Sequence, residues 1–223
     1  HAVRVLSARA DFTLDRLIAA AYDPALPAFE PLVPALVRAW EEAPATDTLR
    51  ARLAEPVAAL RAWDARWGAA SVPTTLAVLW GEDLMARAAA GARARGVSVY
   101  DQMLAGTTAA EKREAFARAL SRLVRDFGTW RVPWGEINRF QRLTNDFVAR
   151  PDDARPSLPV PFTSALWGSL ASIGQRAPRT TRRIYGDYGN SFVAAVEFGP
   201  RVRARSVLAG GVSGDPRSPH FAD

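Results

Sequence analysis

Between residues 151 and 161 the chain reads PDDARPSLPVP, with four prolines in one short stretch. Proline lacks a backbone N–H and locks φ, so a segment this dense in it forms neither a helix interior nor a central strand. It predicts an extended loop, and the sequence pattern differs on its two sides.

Upstream, residues 13 to about 130 predict helices. Thr13 is a candidate cap for a helix that places Leu14, Leu17, Ile18 and Ala21 on one face. Pro31 suits the first turn of a second helix carrying Leu32, Val33, Leu36, Val37 and Trp40. Thr46 or Asp47 starts a third stretch, which Pro56 is expected to break or kink. Ser71 with Pro73 marks a further start. Thr108-Ala-Ala-Glu111 is a capping box, and Phe116, Leu120, Leu123 and Phe127 form the stripe behind it.

Downstream, 191–198 and 201–208 predict two strands joined at Gly199-Pro200 as a hairpin. Arg201, Arg203 and Arg205 alternate with Val202, Ala204 and Ser206, which predicts a solvated charged face and a small, mostly apolar one. An isolated hairpin is marginal in water, so these strands call for a larger sheet. The organisation is a helical region, 1–130, followed by a loop and strand region, 131–223, of the same domain. The fold class is α+β.

Charge and composition exclude several chemistries. The net charge is +6, Lys112 is the single lysine, and residues 176–205 hold seven arginines against Asp187 and Glu197. With no cysteine and only His1 and His220, disulfides, thiolate zinc sites and a Cys nucleophile are excluded, and a multi-histidine metal site is not expected. No apolar run approaches the roughly 20 residues that span a bilayer. A start on His1 rather than Met reads as a processed or cut product.

Each local candidate has a plain structural alternative. Gly211-Val-Ser-Gly-Asp215 partly matches a nucleophile elbow, with His220 close behind, but the last glycine and the strand–turn–helix context are missing. The arginine row suits phosphates, yet no interleaved aromatics accompany it. Glu82-Asp83 and Asp152-Asp153 read as solvated carboxylates. Trp130 and Trp134 sit off any helical stripe, as a pocket wall or as loop anchors.

Several segments together resemble the penicillin-acylase family, in its acyl-homoserine-lactone-acylase-like branch. Trp134-Gly135-Glu136-Ile137-Asn138-Arg139-Phe140-Gln141-Arg142 resembles its W-G-x-x-x-R-x-x-R stretch, and Gly189–Phe198 its late core strand. Gly214–Asp223 is similar to its closing G-x-P-x-S-P-H-x-x-D signature, and Leu60-Arg61-Ala62-Trp63-Asp64 to its L-x-x-W-D element. His1–Leu6 looks like the start of that branch's helical insertion.

The resemblance implies an αββα N-terminal-nucleophile hydrolase that cleaves the amide of an acylated small molecule, a β-lactam side chain or an N-acyl homoserine lactone. In such enzymes an N-terminal Ser is activated by its own α-amine. Residue 1 here is His1, so the resemblance implies that the nucleophilic Ser and the oxyanion Asn lie upstream of it. Asn138 and Asn190 do not match the oxyanion motif. No catalytic or metal residue is therefore assigned to this chain, and it is expected to be inactive alone. It is read as the C-terminal part of the large subunit, partnered by the rest of that subunit and the small subunit, with no nucleic acid or membrane partner. No catalytic cofactor is implied; a structural calcium belongs to the whole enzyme and not to this chain. The implied location is periplasmic or secreted. The alternative is a non-catalytic helical binding module with a basic hairpin. A hydrolase using Ser213 and His220 is a third reading.

Overall fold

The computed structural model describes residues 1–142, 150–175 and 180–221. The chain is α+β and divides into two compact units: Leu26–Trp134, and His1–Ala25 together with Gly135–Asp223. Arg176 and Arg179 of the basic segment, and Ala222 and Asp223 of the closing signature, lie outside the described residues.

The unit Leu26–Trp134 is helical. It contains α3 (Phe29–Glu41), α4 (Thr48–Arg61), α5 (Val72–Arg95), a short α6 (Val99–Asp101) continuing into a π turn (Gln102–Gly106), and α7 (Ala109–Phe127). The starts follow side-chain capping. Asp47 accepts from the Leu49 amide at 2.8 Å and Ser71 from the Thr74 amide at 3.1 Å. Thr108 and Glu111 cap each other's amides at 3.1 and 2.6 Å. α5 and α7 end on Gly96 and Gly128 at φ 64° and 76°, a left-handed conformation that glycine reaches without a Cβ clash.

α5 is buried on all sides over its first half, from Thr74 to Gly81, so it serves as the central helix of this unit. Trp80 meets Phe116 of α7 edge-on at 6.4 Å, and its indole N–H donates to the Lys112 carbonyl at 3.1 Å. Arg113 is buried yet paired: it meets Asp47 at 2.9 Å and donates to the Ala39 carbonyl at 2.7 Å, tying α7 to the end of α3 and the start of α4. The lone Lys112 donates to the Thr107 carbonyl at 2.6 Å.

Pro56 does not break α4. The helix runs from Thr48 to Arg61 with Pro56 itself buried beside Leu53, Val57 and Leu60. Burial of that stripe offsets the hydrogen bond that proline forfeits. Pro34 is likewise held within α3.

In the second unit α1 (Ala2–Ser7), inside the region expected to be helical, precedes α2 (Leu14–Ala21), capped by Thr13 as expected. After α8 (Trp134–Ile137) come short strands. β1 (Asn138–Phe140) lies between β2 (Leu158–Pro159), antiparallel, and β4 (Ile184–Tyr185), parallel. β3 (Ile173–Gly174) pairs with β5 (Tyr188–Gly189). β6 (Phe192–Glu197) and β7 (Arg203–Leu208) form the expected hairpin, in register from Phe192↔Leu208 to Glu197↔Arg203.

The hairpin's faces differ from expectation. Opposed residues in an antiparallel pair share a face, so Val193, Ala195, Arg203, Arg205 and Val207 lie together. On that face Ala195 is buried and Arg205 pairs with Asp15 of α2. The arginine face is therefore the one α2 partly covers. The opposite face, with Phe192, Ala194, Val196, Ala204 and Leu208, is exposed along its length. An amphipathic helix covers whichever face offers it a packing surface and a charge partner, and here α2 brings Asp15 to Arg205.

Thr108→Ala is expected to destabilise the helical unit by about 1 kcal/mol through loss of the cap. Urea unfolding followed by tryptophan fluorescence measures this, and Thr108→Ser should restore most of the loss.

Candidate functional site

The chemistry-bearing motifs converge in the unit that holds the strands, and their first task is structural. A proline-rich loop leaves carbonyls and amides that no ladder satisfies. Here side chains satisfy them. Asn138, buried, donates from Nδ2 to the carbonyls of Val160 at 3.1 Å and Phe162 at 2.8 Å. Arg139 donates to Ser157 Oγ at 3.0 Å, to the Ser157 carbonyl, and to the Gly135 carbonyl at 2.9 Å. Gln141 accepts from the Asp152 amide and donates to the Asp152 carbonyl, both at 2.9 Å.

The opposite flank is held from β4. Asp153 accepts from the amides of Arg182 at 2.9 Å and Arg183 at 3.4 Å and from the Tyr185 hydroxyl at 3.1 Å. Arg183 returns a bond to the Asp153 carbonyl at 3.1 Å. Partial burial pushes the Asp153 carboxyl up, but these donors outweigh it and hold the group below its ordinary range. Burial, and then the facing Asp153 charge, push the Tyr185 hydroxyl up. Asp153 is thus a structural anchor, where the sequence suggested a solvated carboxylate.

The closing segment is a set of self-contained turns. Ser213 Oγ accepts from the Asp215 amide at 3.1 Å, and the Asp215 carboxylate accepts from the Arg217 amide and guanidinium. The His220 carbonyl accepts from the amides of Val212 and Ser213 at 3.0 and 3.1 Å. The backbones of Ser213 and His220 thus meet, and the Ser213 hydroxyl is engaged within its own turn. Gly211 permits the approach: at φ 80° a Cβ there would lie 2.5 Å from the Phe221 carbonyl oxygen. Arg142 stacks over Phe221 at 5.1 Å, joining the first resembling motif to the last.

Asn190, exposed, accepts through Oδ1 from the amide and hydroxyl of Ser172, both at 2.8 Å. Trp134 is a buried anchor whose amide donates to the Ser71 carbonyl at 3.1 Å, while Arg131 stacks on the half-buried Trp130 at 4.1 Å. The arginine row is partly neutralised: Arg203 pairs with Glu197 at 2.6 Å, and Arg205 with Asp15. Asp83 is likewise paired, accepting from Arg118 at 2.8 Å and Arg87 at 3.1 Å. Among the described residues no group of three or more His, Cys, Asp or Glu could hold a metal ion, and no helix is long and apolar enough to cross a membrane.

One concave feature was not visible in the sequence. An apolar cavity of about 350 Å³ is walled by Val5 and Leu6 of α1, Leu17, Ile18 and Ala21 of α2, Leu170, Ala171, and Val193 and Ala195 of β6, with Tyr22 and Asn190 as its polar members. Its volume is in the range of small-molecule sites. The amphipathic pattern of α2 was legible, but what its apolar face would meet was not.

The anchoring of the loop has a pH signature. Because Asp153 is held below its ordinary range, its contribution is complete above about pH 4 and is lost as pH falls through its lowered value. In Asp153→Asn this acid-dependent part should vanish, with a loss of about 1 kcal/mol near pH 6. Amide exchange of residues 182–185 between pH 3 and pH 6 reads both effects.

These segments stand in the order that the resemblance requires, and the sequence model of penicillin amidase matches residues 1–223. Comparison with curated proteins returns no match. The chain belongs to the penicillin amidase family, a family of amide-cleaving hydrolases.

Proposed function

We propose that the chain is part of an acylase that hydrolyses the amide of an acylated small molecule, of the β-lactam side-chain or N-acyl homoserine lactone class. The observation that carries this reading is the apolar cavity between α1, α2 and β6, which suits the hydrocarbon part of an acyl group. Such a cavity gains affinity by removing apolar surface from water and needs few polar contacts.

The nucleophile is proposed to be an N-terminal Ser outside residues 1–223, with its own α-amine as general base and an oxyanion hole supplied from the same place. One feature supports this: the amide of Asn138 is spent on the carbonyls of Val160 and Phe162. The bare apolar face of the β6–β7 hairpin, with Phe192 62% and Phe198 84% exposed, supports a role in completing a larger sheet with the remaining segments of the enzyme. A periplasmic or secreted location goes with this reading. The rival, a basic binding module, is weakened by the pairing of Arg203 and Arg205 with carboxylates.

Incubated alone with a chromogenic acyl anilide, the chain should show no turnover above buffer, and Ser213→Ala should change nothing. Turnover abolished by a serine-directed reagent would overturn the assignment of the nucleophile. The cavity is tested separately by titrating the chain with a medium-chain fatty acid. Binding should be saturable, and Ala21→Phe should weaken it by about tenfold; equal affinity in both proteins would remove the cavity from the proposal.

A further inference from the structure

His1 is the least expected residue of the strand-bearing unit. Its side chain is 3% exposed, with Nδ1 2.7 Å from the Gly168 carbonyl oxygen and Nε2 3.1 Å from Asp23 Oδ1. A carbonyl oxygen has no proton to give, so Nδ1 must donate. Asp23 Oδ1 also accepts from the Ala25 amide at 2.9 Å, so the proton on the second bond belongs to Nε2. Two donating nitrogens make the ring an imidazolium. The ring itself is almost fully shielded from water.

The three residues joined here are close in sequence to residues that line the cavity. Ala2, Tyr22 and Leu170, which line it, lie one or two positions from His1, Asp23 and Gly168. α1 lies at the surface of its unit. None of its residues is buried, and Val3 and Leu6 are 78% and 49% exposed.

We propose that the His1 imidazolium, bridging Gly168 and Asp23, is a pH-sensitive latch that holds α1 over the apolar cavity. At low pH both bonds form and the helix is pinned. When the ring loses a proton as pH rises, one nitrogen presents a lone pair to an oxygen acceptor and that bond is lost. The ionisable groups on the surrounding elements are Asp23, Tyr22, Asp15 and Arg16 from α2 and its end, and Arg4 one turn along α1. Residues 165–171 contribute none. Asp23 is the one opposite charge in direct contact with the ring, so its carboxylate sets the charged form's advantage. The latch stands on these contacts alone, whatever occupies the cavity.

The chain has only two histidines, so His220→Ala leaves a single imidazole for ¹⁵N NMR on the 223-residue chain. At pH 6 both ring nitrogens should carry protons. The midpoint should lie above that of the same protein unfolded in urea, and Asp23→Asn should lower it by about tenfold in proton affinity. Amide exchange, corrected for its intrinsic pH dependence, should show protection of residues 5–8 falling about tenfold or more between pH 6 and pH 8.5. In His1→Gln that protection should be low and independent of pH, with residues 109–127 unchanged as the control for folding. A midpoint at or below the unfolded value, or the same α1 profile in His1→Gln, would overturn the latch.

Discussion

The strand-bearing unit depends on one constraint: the backbone of the proline-rich segment must find hydrogen-bond partners without a ladder. Asn138, Arg139 and Gln141 on one side and Asp153 with Tyr185 and Arg183 on the other supply them. Once residues 151–161 are held, β1 has both an antiparallel neighbour in β2 and a parallel one in β4. Arg142 extends the same element to the closing turns. Residues 138–142 thus bracket irregular backbone, and Asn138, Arg139, Gln141 and Arg142 suit that work because each side chain carries more than one donor.

The hairpin shows how an architecture leaves its requirements visible. One face gains Asp15 and the apolar stripe of α2; the other remains exposed at Phe192, Val196 and Leu208. Both strands are rich in β-branched and small residues, and their ladder is complete from Phe192 to Glu197. What the pair lacks is burial, and burial is what makes a hairpin stable. The helical unit has the opposite character, since its central helix is enclosed and its buried Arg113 pairs with Asp47 and a carbonyl.

Several features were legible in the residues. Thr13, Asp47, Ser71 and Thr108 cap helices where the pattern placed them, and the hairpin and the extended loop follow from alternation and proline. Each depends on groups within a few positions of one another. The resembling motifs were legible too, though not their use: Asn138, which does not match the oxyanion motif, donates to the carbonyls of Val160 and Phe162. Asp153 read as solvated because its partners, Arg182 and Tyr185, lie some thirty positions away. The cavity left one trace, the apolar stripe of α2.

By itself the sequence determined the helix starts, the irregular loop, the hairpin and the family, because caps, periodicity and motif spacing are short-range chemistry. Only the tertiary structure decided that residues 1–25 join the strands, that Pro56 stays inside α4, and that α2 packs on the arginine-bearing face of the hairpin at Ala195. It alone gave His1 two acceptors, in Asp23 and Gly168. These outcomes rest on pairs such as Arg205–Asp15 and His1–Gly168, which are 190 and 167 positions apart. Which of many compatible partners a side chain meets at such separations is settled by packing, not by the pattern around it.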